Sequence, residues 1–86
     1  MIDKIVKLDN NNKYILFDET ILSKIKYYMG LKLDDKNEPT NEYLYFEEKK
    51  DKDNIFLKPV MNDNIKDLLL TAFTINYFNS VYDEVN

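Results

Sequence analysis

A chain of 86 residues without cysteine, histidine, tryptophan or arginine has no disulfide, no thiolate or imidazole metal site, and no Ser–His or Cys–His nucleophile pair. Its formal net charge of −4 argues against nonspecific binding to nucleic acid or to an anionic membrane, because both require positive potential. At this length residues 1–86 read as a single domain.

Ile2 to Leu8 is rich in β-branched residues and reads as a strand. Asp9-Asn10-Asn11-Asn12 is a turn signal, since Asp and Asn tolerate left-handed backbone. Lys13 to Leu22 is a second strand, with Ile15, Phe17 and Ile21 expected on one face. Residues 18–30 carry two patterns. Ile21, Leu22, Ile25, Tyr28 and Met29 have helical spacing, with Asp18 as a cap and Gly30 as a stop. Against that, Ile25, Tyr27, Met29, Leu31 and Leu33 alternate with Lys24, Lys26, Tyr28, Gly30 and Lys32 as in a strand, which makes Ser23-Lys24 a hairpin turn.

Asp34 to Asn41 reads as a polar loop containing Pro39. Glu42 to Glu48 is a strand, Lys49 to Asp53 a charged turn, and Asn54 to Met61 a further strand. In that last strand Pro59 marks an edge or an end, because it has no N–H. Asn62-Asp63-Asn64 then offers three candidate helix caps. Ile65, Leu68, Leu69, Ala72, Phe73 and Asn76 form one helical stripe, and the helix is expected to reach about Val81. The fold class is therefore α+β: a small antiparallel sheet of four to five strands packed against one long C-terminal helix.

The run from Asp18 to Met29, the strands Glu42-Tyr43-Leu44-Tyr45-Phe46 and Ile55-Phe56-Leu57-Lys58-Pro59-Val60, and the acidic helix start resemble the YrzB-like family of small acidic Firmicute proteins. The resemblance spans roughly residues 5–75 and implies the hairpin reading for residues 18–30. It implies no activity, since that family's function is unknown.

General acid–base catalysis at neutral pH most often uses histidine, which is absent. The sole glycine excludes Gly-rich phosphate loops. Asp34-Asp35 and Asp51-x-Asp53 invite a calcium reading, but an EF-hand loop started at Asp51 places Phe56 where glycine belongs, and one started at Asp9 places Tyr14 there. We therefore expect no enzyme, no catalytic residues, no bound metal and no cofactor. No run of apolar residues is long enough to span a membrane, and the first residues lack a signal peptide's apolar centre, so a cytoplasmic protein is expected. The abundance of Lys, Asn and Ile fits a low-GC bacterium or its phage.

Two surfaces are candidates for a protein partner or for self-association. On the sheet, Tyr28, Tyr43 and Tyr45 are expected to face away from the helix, among lysines. Tyrosine suits binding faces because it offers a large contact area with few rotatable bonds. On the helix, Leu70, Tyr77 and Val81 line up away from the core stripe, and Phe78 and Tyr82 make the last turns apolar nearly all round. The expected function is a non-enzymatic adaptor or regulator. The alternative is a phage or mobile-element inhibitor that occludes the basic site of a host defence enzyme such as a nuclease.

Overall fold

Short β-branched and aromatic runs, broken repeatedly by Asn, Asp and Lys, dictate a meander. The computed structural model describes residues 2–85, with side chains for 2–81. Its strands are β1 (Ile5–Lys7), β2 (Lys13–Leu22), β3 (Ile25–Leu33), β4 (Pro39–Asp51) and β5 (Asn54–Pro59), followed by helix α1 (Asp63–Val85). Each strand pairs antiparallel with the one before it, so sheet order is chain order. The architecture is α+β, a curled five-stranded sheet with one C-terminal helix. Among the described residues no helix is long and apolar enough to cross a membrane.

The loops explain the meander. Leu8 and Asn12 close the β1–β2 loop, and Asp34 and Glu38 close the β3–β4 loop, each with a 2.9 Å backbone bond. In both, the loop residue before the last is an asparagine at positive φ: Asn11 at 70° and Asn37 at 62°. Asparagine is one of the few side chains that adopt this conformation readily. Ser23 and Lys24 both have positive φ, at 50° and 67°, as a two-residue type I′ hairpin requires. Residues 18–30 are thus a hairpin and not a helix.

The sheet buries both of its faces. Register partners share a face, so Tyr27, Met29 and Leu31 lie on the same side as Glu47, Tyr45 and Tyr43. That side meets α1, where Tyr27, Tyr45, Val60, Leu69 and Phe73 form one core. On the opposite side the sheet curls, and Tyr14, Leu16, Tyr28 and Phe46 form a second core flanked by Val6 of β1, Leu8 just after it and Leu57 of β5. Edge strands β1 and β5 consequently line one crevice together.

Four expectations are corrected. Phe17 is the extra residue of a β-bulge: Leu16 pairs with Gly30 and Asp18 with Met29. The bulge reverses the alternation, so Ile21 pairs with Lys26 on the face opposite α1 and does not share a face with Ile15 and Phe17. Strand β4 is longer than Glu42–Glu48. Pro39 begins it opposite Leu33, and Lys49, Lys50 and Asp51 continue it opposite Phe56, Ile55 and Asn54, so charged side chains extend the strand on a solvated ladder. The helix continues to Val85. Leu68 is 59% exposed and lies outside the core stripe.

Gly30 permits the curl. Its φ is negative, so its role is close approach and not a special backbone conformation. A Cβ there meets Phe46 Cε2 at 3.0 Å and Leu16 Cδ2 at 3.3 Å, and both residues are fully buried. Gly30→Ala is expected to cost about 1–3 kcal/mol through overpacking. Urea unfolding checks this, and an unchanged midpoint would contradict the close packing of that face.

Candidate functional site

Helix α1 is seated on the sheet along a narrow stripe. Asn62 caps it, its Oδ1 accepting from the Ile65 N–H at 3.0 Å. Leu69 and Phe73 are buried against the sheet, with Ile65 packed beside them. Phe73 stacks parallel on Tyr45, ring centroids 5.6 Å apart. Asn76 Nδ2 donates to the Glu19 carbonyl at 3.3 Å. That carbonyl belongs to the stretch of β2 after Leu16, the last β2 residue bonded to the β1 segment.

Beside this seat runs an apolar groove of about 570 Å³. Phe17, Met29 and Tyr45 form its sheet side; Leu70, Phe73, Tyr77 and Phe78 form its helix side. A second recess of about 320 Å³, lined by Tyr43, Leu44, Tyr45, Lys66, Asp67 and Leu70, shares Tyr45 and Leu70 with it. The two make one trough along the helix flank. Charges occur only at its ends, Asp18 at one and Lys66 with Asp67 at the other. The bulge puts Phe17 there, by turning it and Asp18 toward the same side.

The structure gathers four of the six sequence-derived candidates at this trough. Leu70, Tyr77, Tyr43 and Tyr45 all line it. Tyr77 is 64% exposed and meets Phe78 edge-on, with centroids 5.7 Å apart. Val81 lies one turn beyond Tyr77 on the same helical flank and is exposed. Tyr28 is elsewhere: it is 1% exposed in the core on the opposite face, with Lys26 Nζ 5.6 Å from its ring centre. The expectation that Tyr28, Tyr43 and Tyr45 share an exposed outer face is therefore corrected. Tyr43 and Tyr45 belong to the helix side, and only Tyr43 of the three is exposed. Alternation within β4 is visible in sequence, but the face that meets a distant helix is not. Phe17 and Met29 were not among the candidates. Phe17 enters through the bulge, which has no sequence signal.

Tyr45 is chemically unusual. Its ring is 4% exposed, and its hydroxyl is buried without a hydrogen-bond partner. Burial first, then the adjacent Tyr43 phenol, pushes its pKa from 10.0 up to about 12. Burial likewise raises Tyr27 and Tyr28. A phenol whose folded pKa exceeds its unfolded value contributes full stability below pH 10, and that contribution disappears as pH rises through the folded pKa. Tyr45 alone therefore accounts for roughly 2–3 kcal/mol lost across that alkaline window. Tyr45→Phe removes the unpaired hydroxyl and is expected to gain about 1 kcal/mol at neutral pH, with a larger advantage at about pH 11 than at about pH 8. Urea midpoints at both pH values test this; an equal difference at each would contradict it.

The trough is lined mainly by apolar and aromatic side chains, with Asp18, Lys66 and Asp67 as its charged groups. Among the described residues no three acidic side chains gather as metal ligands. A crevice of about 580 Å³ at the loop end is polar. Several of its charges are engaged locally: Lys32 pairs with Glu42 at 3.3 Å, Lys13 Nζ donates to Asn37 Oδ1 at 3.4 Å, and Asp34 Oδ1 accepts from the Lys36 and Glu38 N–H groups. Comparison with protein-family models, characterised proteins and solved structures finds no match to this chain.

Proposed function

We propose that this protein is a non-enzymatic interaction module, an adaptor or regulator, that takes an apolar segment of a protein partner into the trough between α1 and the sheet. One observation carries this reading. Leu70, Tyr77 and Phe78 stand exposed opposite Phe17, Met29 and Tyr45, so apolar side chains line both walls of a groove that the fold itself leaves unfilled. Contiguous exposed apolar surface of this kind characterises interaction sites. Aromatic residues supply contact area at low cost in side-chain entropy, which favours them as anchors.

Charge narrows the partner. The chain is acidic overall, and Asp18 marks one end of the trough, while Lys66 and Asp67 stand together at the other. A bound segment with an apolar centre and a basic residue toward Asp18 is complementary to it. A nuclease or another enzyme with a basic site fits the same description and makes the regulator an inhibitor.

Affinity capture from the source cells, using the wild type and Leu70→Lys/Tyr77→Lys side by side, tests the proposal. The expected result is a stoichiometric protein held by the wild type and lost by the variant. Recovery of the bait alone, or of the same proteins on both, contradicts it.

A further inference from the structure

The two edges of the curled sheet face each other without joining. Each strand runs antiparallel to the one before it, so β1 and β5 run in the same direction. A meander with an odd number of strands cannot close antiparallel on itself. Among the described residues no backbone hydrogen bond joins β1 to β5. Instead Val6, Lys7 and Leu8 line one side of a crevice of about 410 Å³, and Leu57 and Pro59 line the other. Strands paired at the usual spacing of about 4.8 Å leave no such space between them.

The register fixes which backbone groups point away from the sheet. The Leu8 N–H donates to the Asn12 carbonyl, and the Leu16 N–H donates to the Lys4 carbonyl, each at 2.9 Å. Lys4, Val6 and Leu8 therefore bond toward β2, while Ile5 and Lys7 turn their N–H and C=O groups outward. The Val60 N–H donates to the Tyr45 carbonyl at 2.9 Å. Lys58 and Phe56 accordingly bond toward β4, while Leu57 and Ile55 turn outward. Pro59 also turns outward, with a carbonyl but no N–H, so the free ladder ends there. Both edges thus offer donors and acceptors at alternate residues, a pattern that an extended backbone matches.

We propose that an extended segment of a partner polypeptide, with apolar and acidic side chains in alternation, enters between β1 and β5 as a sixth strand. Running opposite to both edges, it pairs antiparallel with each and closes the sheet into a barrel, which leaves no free edge. Its inward side chains meet the second core, where Val6, Leu8, Leu44 and Leu57 are only partly buried. Its other side chains point to the α1 side and meet lysines. Lys7 stands directly opposite Lys13, an unfavourable like-charge pair. Lys58 is exposed on the same face. The ion pairs among the described residues engage Lys26, Lys32 and Lys49, not Lys7 or Lys58. A carboxylate on the incoming strand offsets the repulsion at Lys7 and complements Lys58. The crevice shares no lining residue with the trough, so the two sites are tested separately.

Amide exchange and peptide binding, followed residue by residue by NMR, test this. In the free protein the Ile5, Lys7, Ile55 and Leu57 amides exchange at least about tenfold faster than those of Val6 and Lys58. Equal protection would mean that the edges are already joined, and overturns the proposal. The probe is an acetylated, amidated hexapeptide of alternating valine and glutamate, added at up to about 1 mM. It slows exchange at the outward amides by at least about tenfold. It also binds at least about tenfold more tightly than the same peptide with lysine in place of glutamate. Lys7→Glu/Lys58→Glu, at two exposed positions, reverses that preference. No effect at the outward amides, equal binding of the two peptides, or an unchanged preference in the variant overturns the proposal. Peptide-induced shifts at Leu70 and Tyr77 in place of the edges place the peptide in the trough and overturn it equally.

Discussion

Phe46→Ala is expected to remove about 3–5 kcal/mol of stability, the usual range for emptying a buried aromatic site. The ring is fully buried and stands edge-on to Tyr14, with centroids 5.6 Å apart at 70°. It is paired with Tyr28 across β3 and with Pro59 across β5, and its edge lies where a Cβ on Gly30 would sit. Neighbours this constrained cannot collapse into the space left behind. A domain of this size has a total stability of about 5–10 kcal/mol, so the variant loses from about a third of it to all of it. Urea unfolding measures the loss. A cost below about 1 kcal/mol would mean that the curled face is not a closed core.

Leu69→Ala is expected to cost about 2–5 kcal/mol, and its neighbour Leu68→Ala less than about 0.5 kcal/mol. Leu69 is fully buried and is the centre of the helix-side core with Tyr27, Tyr45, Val60 and Phe73. One position earlier, Leu68 points to solvent. Both truncate the same side chain in the same helix, so propensity effects cancel and the difference reports seating alone. Thermal unfolding of the pair tests whether the stripe is as narrow as described. Comparable losses would place Leu68 in the core.

Much of this fold was legible in sequence because it rests on local chemistry. Asn62 caps α1 through its own side chain, and the Asp9–Asn12 and Asp34–Glu38 segments turn because Asn11 and Asn37 accept positive φ. The alternation from Ile25 to Leu33 was also legible. The competing helical pattern failed because β3 buries both faces, with Tyr27 under α1 and Tyr28 in the opposite core. A strand with two buried faces loses the apolar-in, polar-out contrast that separates strand from helix.

The site was harder to read. Leu70, Tyr77 and Val81 follow from helical spacing, and the structure leaves them exposed. Tyr43 and Tyr45 were assigned to the wrong side, because strand alternation distinguishes two faces without saying which meets the helix. Leu44 and Phe46 have the composition expected of residues under a helix, yet Phe46 is claimed by the opposite core and Leu44 packs beside it. Phe17 reaches the groove only because of the bulge at Leu16–Asp18, a feature of pairing between strands that no single strand encodes.

The groove is the centre of this account, and a photo-crosslinker placed in it is the most direct test. Benzoylphenylalanine at Tyr77 replaces one exposed aromatic by another and stands on the wall of the groove. The same group at Phe56, exposed on β5, samples surface outside it. Irradiation in the source cells is predicted to join one discrete partner polypeptide to position 77 and not to position 56. Identical adducts from both positions, or none from position 77, would contradict a docking role for the groove.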